Sequence, residues 1–322
     1  MKIYIETSDE FIMKPPLEVF LSITTKCNLK CKHCYSNSGL FGKTSDTDNL
    51  IKILAQIRPL RLVISGGEPI LEIERLISFL KKYKLKKGID SYVVLATNGI
   101  LLNNRNLNRI KPYVDRLQIS LDTLNPDTFK KIRGLKLLKQ TINGIKLAKK
   151  RGFDLQIAFS IFKENLDEYK KIIDFCINNK INRINILRQR PSGRSKCSVS
   201  AKEIKRVYSG AVNYALGKDI NVNIHDPIAN IIIPKRSECN AAKEIIAIDV
   251  DGNFKPCPLF NSSVKGNFKD VWKNSKLFRL VRRQVGGCIS CEKYKLCRGG
   301  CKADSFNLYG KIKKDPWCLR GV

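Results

Sequence analysis

Residues 18–35 read EVFLSITTKCNLKCKHCY. A β-rich run, Glu18–Thr24, is followed at once by Cys27-x3-Cys31-x2-Cys34. Thiols placed directly after a strand lie at the C-terminal mouth of a sheet, where barrel sites are built. Spacings of four and three would also put the cysteines on one face of a helix, as small core residues. Interleaved Lys26, Lys30 and Lys32, with Asn28 just beyond the strand, favour a loop. Soft thiolates converging from spaced positions bind zinc or iron–sulfur clusters. Three thiolates leave one iron of a [4Fe–4S] cluster open, and an open position marks a reactive centre rather than a closed structural one.

Working outward, five further runs rich in Val, Ile, Leu or Phe and bounded by Gly, Asn or Asp read as strands: Arg61–Ser65, Tyr92–Thr97, Arg116–Leu121, Asp154–Ile161 and Arg183–Leu187. Helical stretches fall near 46–57, 72–87, 103–112, 135–151 and 166–180. Leu76, Leu80 and Tyr83 give one of them an apolar stripe opposite lysines. Strand–helix alternation predicts a parallel sheet with right-handed crossovers. Six such units form a partial (β/α)6 TIM-type barrel of α/β class. The expected divisions are an N-terminal segment 1–15, the barrel 16–195, a bridge 196–238 with a helix near 201–216, and a small cysteine-rich C-terminal domain 239–322.

The chain has 322 residues, 43% of them hydrophobic, enough for a large domain and a smaller one. The start, MKIYIETSDEF, lacks a signal-peptide profile, and no uncharged apolar run approaches a membrane span. A cytoplasmic protein without a membrane partner is expected. Twelve cysteines in a reducing compartment argue for metal ligands over disulfides. The formal charge of +31 suits an acidic partner, or reflects lysine-rich usage spread along the chain as in KKYKLKK (81–87). Clusters change it only slightly, by about −2 for each four-thiolate site.

Seven more cysteines crowd the last third: Cys239, Cys257, Cys288, Cys291, Cys297, Cys301 and Cys318. Cys288-x2-Cys291-x5-Cys297-x3-Cys301 alone would suit a zinc ribbon. Glu244–Asp249 and Asn253–Lys255, around Val250-Asp251-Gly252, read as a β-hairpin, and 268–283 as helical. Cys176, beside Ile172, Ile173 and Ile177, reads as core. Cys197 follows a basic loop.

The N-terminal trio resembles the radical SAM superfamily. Supporting motifs follow in order: Ser65-Gly66-Gly67-Glu68-Pro69 after the second strand, Thr97-Asn98-Gly99 after the third, Ile119-Ser120-Leu121-Asp122 after the fourth, then Arg133-Gly134. The resemblance implies that Cys27, Cys31 and Cys34 hold a [4Fe–4S] cluster whose open iron takes the amino and carboxylate groups of S-adenosyl-L-methionine. One electron, from a low-potential donor such as ferredoxin or flavodoxin, would cleave the sulfonium to methionine and a 5′-deoxyadenosyl radical that abstracts hydrogen from substrate. On this reading Gly66 and Gly67 let the backbone approach the methionine moiety, Glu68 accepts from its ammonium group, and Arg133 pairs with its carboxylate. Asn98, Ser120 and Asp122 offer hydrogen bonds to ribose or methionine groups. His33 takes the position beside adenine, or is an exposed loop histidine. The plainer role for Glu68 and Asp122 is helix capping.

The C-terminal cysteines resemble the SPASM domain, which carries up to two auxiliary [4Fe–4S] clusters. The resemblance implies one cluster held by Cys288, Cys291, Cys297 and Cys318, and another by Cys239, Cys257 and Cys301. For the latter, the spacing leaves open an exposed iron, a carboxylate ligand such as Asp249 or Asp251, or no cluster. Asp251 is also the candidate general base.

The SPASM branch implies a substrate that is a peptide, a protein or a protein-cofactor precursor. Many peptide maturases carry an N-terminal leader-binding domain; this chain reaches its first strand after only about fifteen residues, so a separate recognition protein is expected. Segments 16–19 and 24–35, Pro191-Ser192-Gly193-Arg194, Gly299-Gly300-Cys301-Lys302-Ala303 and Asp315-Pro316-Trp317-Cys318 look like enzymes of alternative haem biosynthesis, and also like tungsten-cofactor-associated proteins. A tetrapyrrole polycarboxylate, which arginine and lysine bind well, is therefore the alternative substrate. A non-catalytic zinc or iron–sulfur protein binding nucleic acid is a third reading, but it gives the GGEP and TNG motifs no role.

Overall fold

The computed structural model describes residues 15–86, 90–233 and 239–322. The segment read as 1–15 thus lies, Pro15 apart, outside the described residues, as do the last residue of the basic run 81–87 and the end of the bridge.

Strands β1 (Glu18–Thr24), β2 (Arg61–Gly66), β3 (Tyr92–Thr97), β4 (Arg116–Ser120), β5 (Asp154–Ile161) and β6 (Arg183–Arg188) lie side by side in chain order, all parallel. Helices α1 (Thr47–Ile57), α2 (Ile73–Lys84), α3 (Asn104–Ile110), α4 (Pro126–Arg133), α5 (Leu138–Lys150) and α6 (Tyr169–Asn178) connect them. Asp46, Asn103 and Asn125 cap α1, α3 and α4 by accepting first-turn N–H groups. The short α4 was absent from the sequence reading, though Pro126 at its first turn and left-handed Gly134 at its end are ordinary start and stop signals.

One face of the sheet is apolar. Val19, Leu21, Ile23, Leu62, Ile64 and Leu95 are fully buried against Leu50, Leu54, Leu76, Phe79 and Leu80 of α1 and α2. Each such side chain contributes about 1.5–3 kcal/mol. The other face carries polar residues across three strands: Gln156 donates to Asn185 (2.6 Å), and Asn185 to Gln118 (3.4 Å).

Two additions extend the six-unit plan. After α7 (Ala201–Ala215), β7 (Asn221–Asn223) joins β6 as a seventh parallel strand. The C-terminal hairpin forms as expected from β8 (Ile245–Ile248) and β9 (Phe254–Lys255). Yet β8 also pairs in parallel with β1, so the order is β7-β6-β5-β4-β3-β2-β1-β8-β9. The cysteine-rich region therefore shares the barrel's sheet and covers the hydrogen-bonding edge that β1 would otherwise expose. Beyond it come α8 (Phe268–Asn274), α9 (Lys276–Arg282), α10 (Tyr294–Cys297) and α11 (Lys302–Tyr309). The helix expected over 268–283 is broken at Ser275, which caps both halves in extended conformation. Among the described residues, no helix is long and apolar enough to cross a membrane.

Candidate active site

The cysteine loop is clamped from four sides by backbone. Thr25 N–H donates to Lys43 (2.8 Å), and Cys27 N–H to Gly39 (2.8 Å). At the end of β2, Gly67 N–H donates to Thr24 (2.6 Å) and Glu68 N–H to Lys26 (2.8 Å). From α4, Ile132 accepts from Lys32 N–H (3.0 Å); from the loop after β6, Arg194 N–H donates to Cys34 (3.0 Å). The register of β1 against β2 slips between Ser22 and Thr24, which brings Gly66 over Thr24.

These approaches explain two glycines. A Cβ on Gly67 would stand 2.0 Å from the Lys26 oxygen, and one on Gly66, whose φ is 132°, 2.1 Å from the Thr24 oxygen. In this structure they admit the cysteine loop's own backbone. Gly193 works similarly: its Cβ would meet the Cys34 oxygen at 2.2 Å.

Glu68 takes the capping role that the sequence allowed for it. It is fully buried, and its carboxylate accepts from Thr97 Oγ1 (2.8 Å), Ile70 N–H (3.1 Å) and Asn98 N–H (2.7 Å). It ties the ends of β2 and β3 together and caps the turn after it. Burial outweighs these donors and lifts its pKa to about 7. Asn98 spends its side chain within the protein: Nδ2 donates to Asn28 Oδ1 (2.7 Å) and Oδ1 accepts from Ile100 N–H (3.0 Å). Asn28 Oδ1 lies 3.9 Å from Cys27 Sγ. Asn28 is thus a functional neighbour that sequence reasoning took only as a loop signal.

The last turn of α4 delivers Arg133 to the thiols. One guanidinium nitrogen lies 2.5 Å from Asp122 Oδ2, and another donates to Cys31 Sγ (3.8 Å). Asp122 is fully buried and also accepts from Ser160 N–H (2.9 Å). Its structural role is thus to anchor the arginine, while Ser120 stands half-buried at the end of β4. His33 packs edge-on against Phe162, ring centroids 4.8 Å apart. Burial and then the charges of Arg133, Lys32 and Arg194 hold its pKa well below the usual value, favouring the neutral imidazole. Arg194, missed by sequence reasoning, donates to the Cys31 carbonyl (3.3 Å) and Asn37 Oδ1 (3.0 Å).

Cys27 and Cys31 are buried, and Cys34 is half-buried beside them. Burial chiefly, with added repulsion from Glu68, Cys31 and Cys34, pushes Cys27 up to about 12. Crowded thiols that resist ionising suit a soft metal, which displaces their protons. Among the described residues, Arg133 Nε and Arg194 Nη2 are buried without a hydrogen-bond partner, donor capacity suited to a polar, anionic ligand beside the thiols, and His33 Nδ1 is likewise unpartnered. The residues present therefore fit an iron–sulfur cluster with S-adenosylmethionine.

The C-terminal thiols fall into two places. Cys288, Cys291, Cys297 and Cys318 line a single cavity of about 70 Å³. Among the described residues, no three His, Cys, Asp or Glu side chains close up tightly enough to hold one metal ion. Elsewhere, Cys301 is buried, with half-buried Cys239 and Cys257 packed against the same core. Burial first, then Cys239, pushes Cys257 up to about 12. The two carboxylates considered as partners for this group lie in the turn of the β8–β9 hairpin. Asp249 is consumed in its hairpin, accepting from Asp251 and Asn253 N–H (3.1 and 2.9 Å). Asp251 is exposed and paired with Lys43 (3.1 Å), a solvated position unsuited to a general base. Cys176 is fully buried in the core, as expected.

A parallel sheet whose strand ends converge on three thiols, an arginine–aspartate pair and a glycine-rich turn defines a class. Residues 21–176 match the model of the Radical SAM superfamily, and this part of the chain is a radical SAM domain. Its similarity to two kinds of curated protein runs along nearly its whole length. It is 26% identical to the mycofactocin maturase MftC of Mycolicibacterium smegmatis, over 95% of this chain and 83% of that protein. It is likewise 26% identical to the AdoMet-dependent heme synthase of Methanosarcina barkeri, over 94% of this chain and 96% of that protein. In fold it resembles Streptococcus suis SuiB bound to its precursor peptide SuiA (TM-score 0.76, 20% identity, 95% and 76% covered). It also resembles anSMEcpe with bound AdoMet (TM-score 0.74, 19% identity, 94% of each chain).

Proposed function

We infer that this enzyme modifies a peptide, a protein or a protein-cofactor precursor by hydrogen abstraction. The observation that carries this reading is the coexistence, in one sheet-linked body, of the three-thiol loop and two further thiol groups. A [4Fe–4S] cluster bound at Cys27, Cys31 and Cys34 would supply one-electron reductive cleavage of S-adenosylmethionine, given a low-potential donor such as ferredoxin or flavodoxin. The protein's own part is positional. Arg133, fixed by Asp122, holds a positive charge beside Cys31, and Arg194 grips the same loop from β6. The polar face of Gln118, Gln156 and Asn185 would orient a substrate's amide or carboxylate groups. Cys288, Cys291, Cys297 and Cys318 would hold one auxiliary cluster, and Cys239, Cys257 and Cys301 another.

Tetrapyrrole side-chain modification is the second reading. It is favoured by the near-complete mutual coverage with the heme synthase and by a basic surplus suited to polycarboxylates. Anaerobic reconstitution tests the chemistry: about twelve irons per chain, falling to about eight in Cys27→Ala/Cys31→Ala/Cys34→Ala, with loss of 5′-deoxyadenosine formation. Iron-free, zinc-loaded protein would defeat the assignment. Turnover with a precursor peptide against turnover with an iron porphyrin carrying propionates then separates the two substrates.

A further inference from the structure

At the end of β6, two arginines enter a buried nest of carboxylates. Arg188 contacts Asp226 (2.6 Å), Asp304 (3.0 Å) and Asp315 (2.6 Å); Arg190 contacts Asp304 (2.9 Å) and Asp226 (3.3 Å). Arg188, Asp304, Asp226 and Asp315 are at most 1% exposed at their side chains. Among the described residues, two guanidinium groups face three carboxylates, leaving one buried negative charge unmatched within the nest. A charge in that situation is retained only with a further partner.

The hydrogen bonds locate the unmatched atom. Asp226 Oδ2 also accepts from Tyr208 (2.9 Å), and its Oδ1 from Ile228 N–H (3.3 Å). Both oxygens of Asp315 are used, by Arg188, by Cys301 N–H (2.7 Å) and by Trp317 N–H (2.8 Å). Asp304 receives both arginines on Oδ2 alone, and among the described residues its buried Oδ1 has no hydrogen-bond partner. Leaving such an oxygen unsatisfied disfavours the fold.

That oxygen stands beside a ligand set with a gap. Cys301 is the N-cap of α11 and Asp304 lies in its first turn, three residues on, where side chains at N-cap and N3 meet. The amide of Cys301 goes to Asp315, so Asp304 does not form the usual capping bond to it.

We propose that Asp304 supplies the fourth ligand, through Oδ1, to the cluster held by Cys239, Cys257 and Cys301. The arginines on Oδ2 orient the carboxylate and leave the other oxygen to an iron. The proposal rests on the reading that these three thiols hold a cluster. Its rival is Cys197, half-buried and also close to Asp304, Arg188 and Arg190.

Three measurements on the reconstituted full chain test it. Cys239→Ala/Cys257→Ala must lower iron by about four per chain; unchanged iron would sink the auxiliary-cluster reading itself. Given that loss, Mössbauer spectra of wild type should hold one oxygen-ligated iron among about eight auxiliary irons, and Asp304→Asn should abolish that subsite while Cys197→Ser leaves it intact. All-thiolate auxiliary spectra in wild type overturn the proposal whether or not the variant folds. So does a change confined to Cys197→Ser.

Discussion

The two thiol-bearing regions are held by different forces. Around Cys27, Cys31 and Cys34 the grip is backbone on backbone, through Gly67, Glu68, Ile132 and Arg194. Around Cys301 and Cys318 the grip is charge: Arg188 and Arg190 from the barrel reach Asp226, Asp304 and Asp315. Asp315 alone accepts from Cys301 N–H on one oxygen and Trp317 N–H on the other, and its carbonyl accepts from Cys318 N–H. A backbone clamp fixes distance without charge, which suits a loop that must accept a charged cofactor. A buried charge nest ties a distant segment to the barrel with strong directionality, and makes that segment depend on every member of the nest.

The sharpest way to break this contrast is Arg188→Met. Removing one partner from a buried ion group costs about 3–5 kcal/mol, because the aspartates remain. Urea unfolding should record that loss, and reconstitution should lose up to about eight auxiliary irons while the trio keeps about four. Loss confined to the trio's irons would reverse the roles assigned to the two regions.

Glu68 gives the backbone-clamped region a pH signature. Its folded-state pKa, about 7, lies above the ordinary 4.5. The folded protein therefore binds the proton more tightly, so this group's contribution is greatest below about 4.5, declines as pH rises, and levels off above about 7. At about 1.4 kcal/mol per unit the swing is roughly 3 kcal/mol. Unfolding of cluster-free protein at pH 5 and pH 8 should reveal this decline, and Glu68→Gln should flatten it. An equal slope in the variant would place the titrating group elsewhere.

Gly67→Ala probes the clamp sterically. With the new Cβ at 2.0 Å from the Lys26 oxygen, the β2 turn and cysteine loop must separate. Overpacking of this kind costs about 1–3 kcal/mol. Displacing the thiols by about an ångström should lower 5′-deoxyadenosine formation roughly 100-fold. Auxiliary iron should be retained. Full activity would mean that the loop is not held by this approach.

The six barrel strands and the motifs after the first four of them were legible because their signals are local: a short apolar run, then a cluster of Gly, Asn, Asp or Cys. Strand β7 was not, since Asn221–Asn223 is short and polar and is a strand only because β6 offers an edge. The β8–β9 hairpin was legible, but its pairing with β1 was not; no local pattern records a partner over 200 residues away. The thiols could be found by spacing, whereas the jobs of Glu68, Asp122 and Asn98 could not. Their residue types suit a ligand or a neighbour equally, and only the fold decides. Arg188 and Arg190 were lost in a general basic surplus because sequence does not mark which charges are buried.

The smallest predicted effect sharpens the contrast from the other side. Lys43, whose backbone braces Thr25 beside the cysteine loop, reaches Asp251 in the β8–β9 hairpin at 3.1 Å. Like the arginine nest, this pair joins the two thiol-bearing regions through charge. Unlike the nest it is solvated, with side chains 71% and 52% exposed. Water screens such a pair, so Asp251→Asn should change stability by only about 0.2–1 kcal/mol. The difference from wild type should fade near 1 M salt, where the screening length is about 3 Å. Comparing Asp251→Asn with Arg188→Met in low and high salt isolates burial as the variable. A salt-resistant loss in the Asp251 variant, of the size seen with Arg188, would mean that contact between the regions, rather than desolvation of the nest, holds the C-terminal thiols in place.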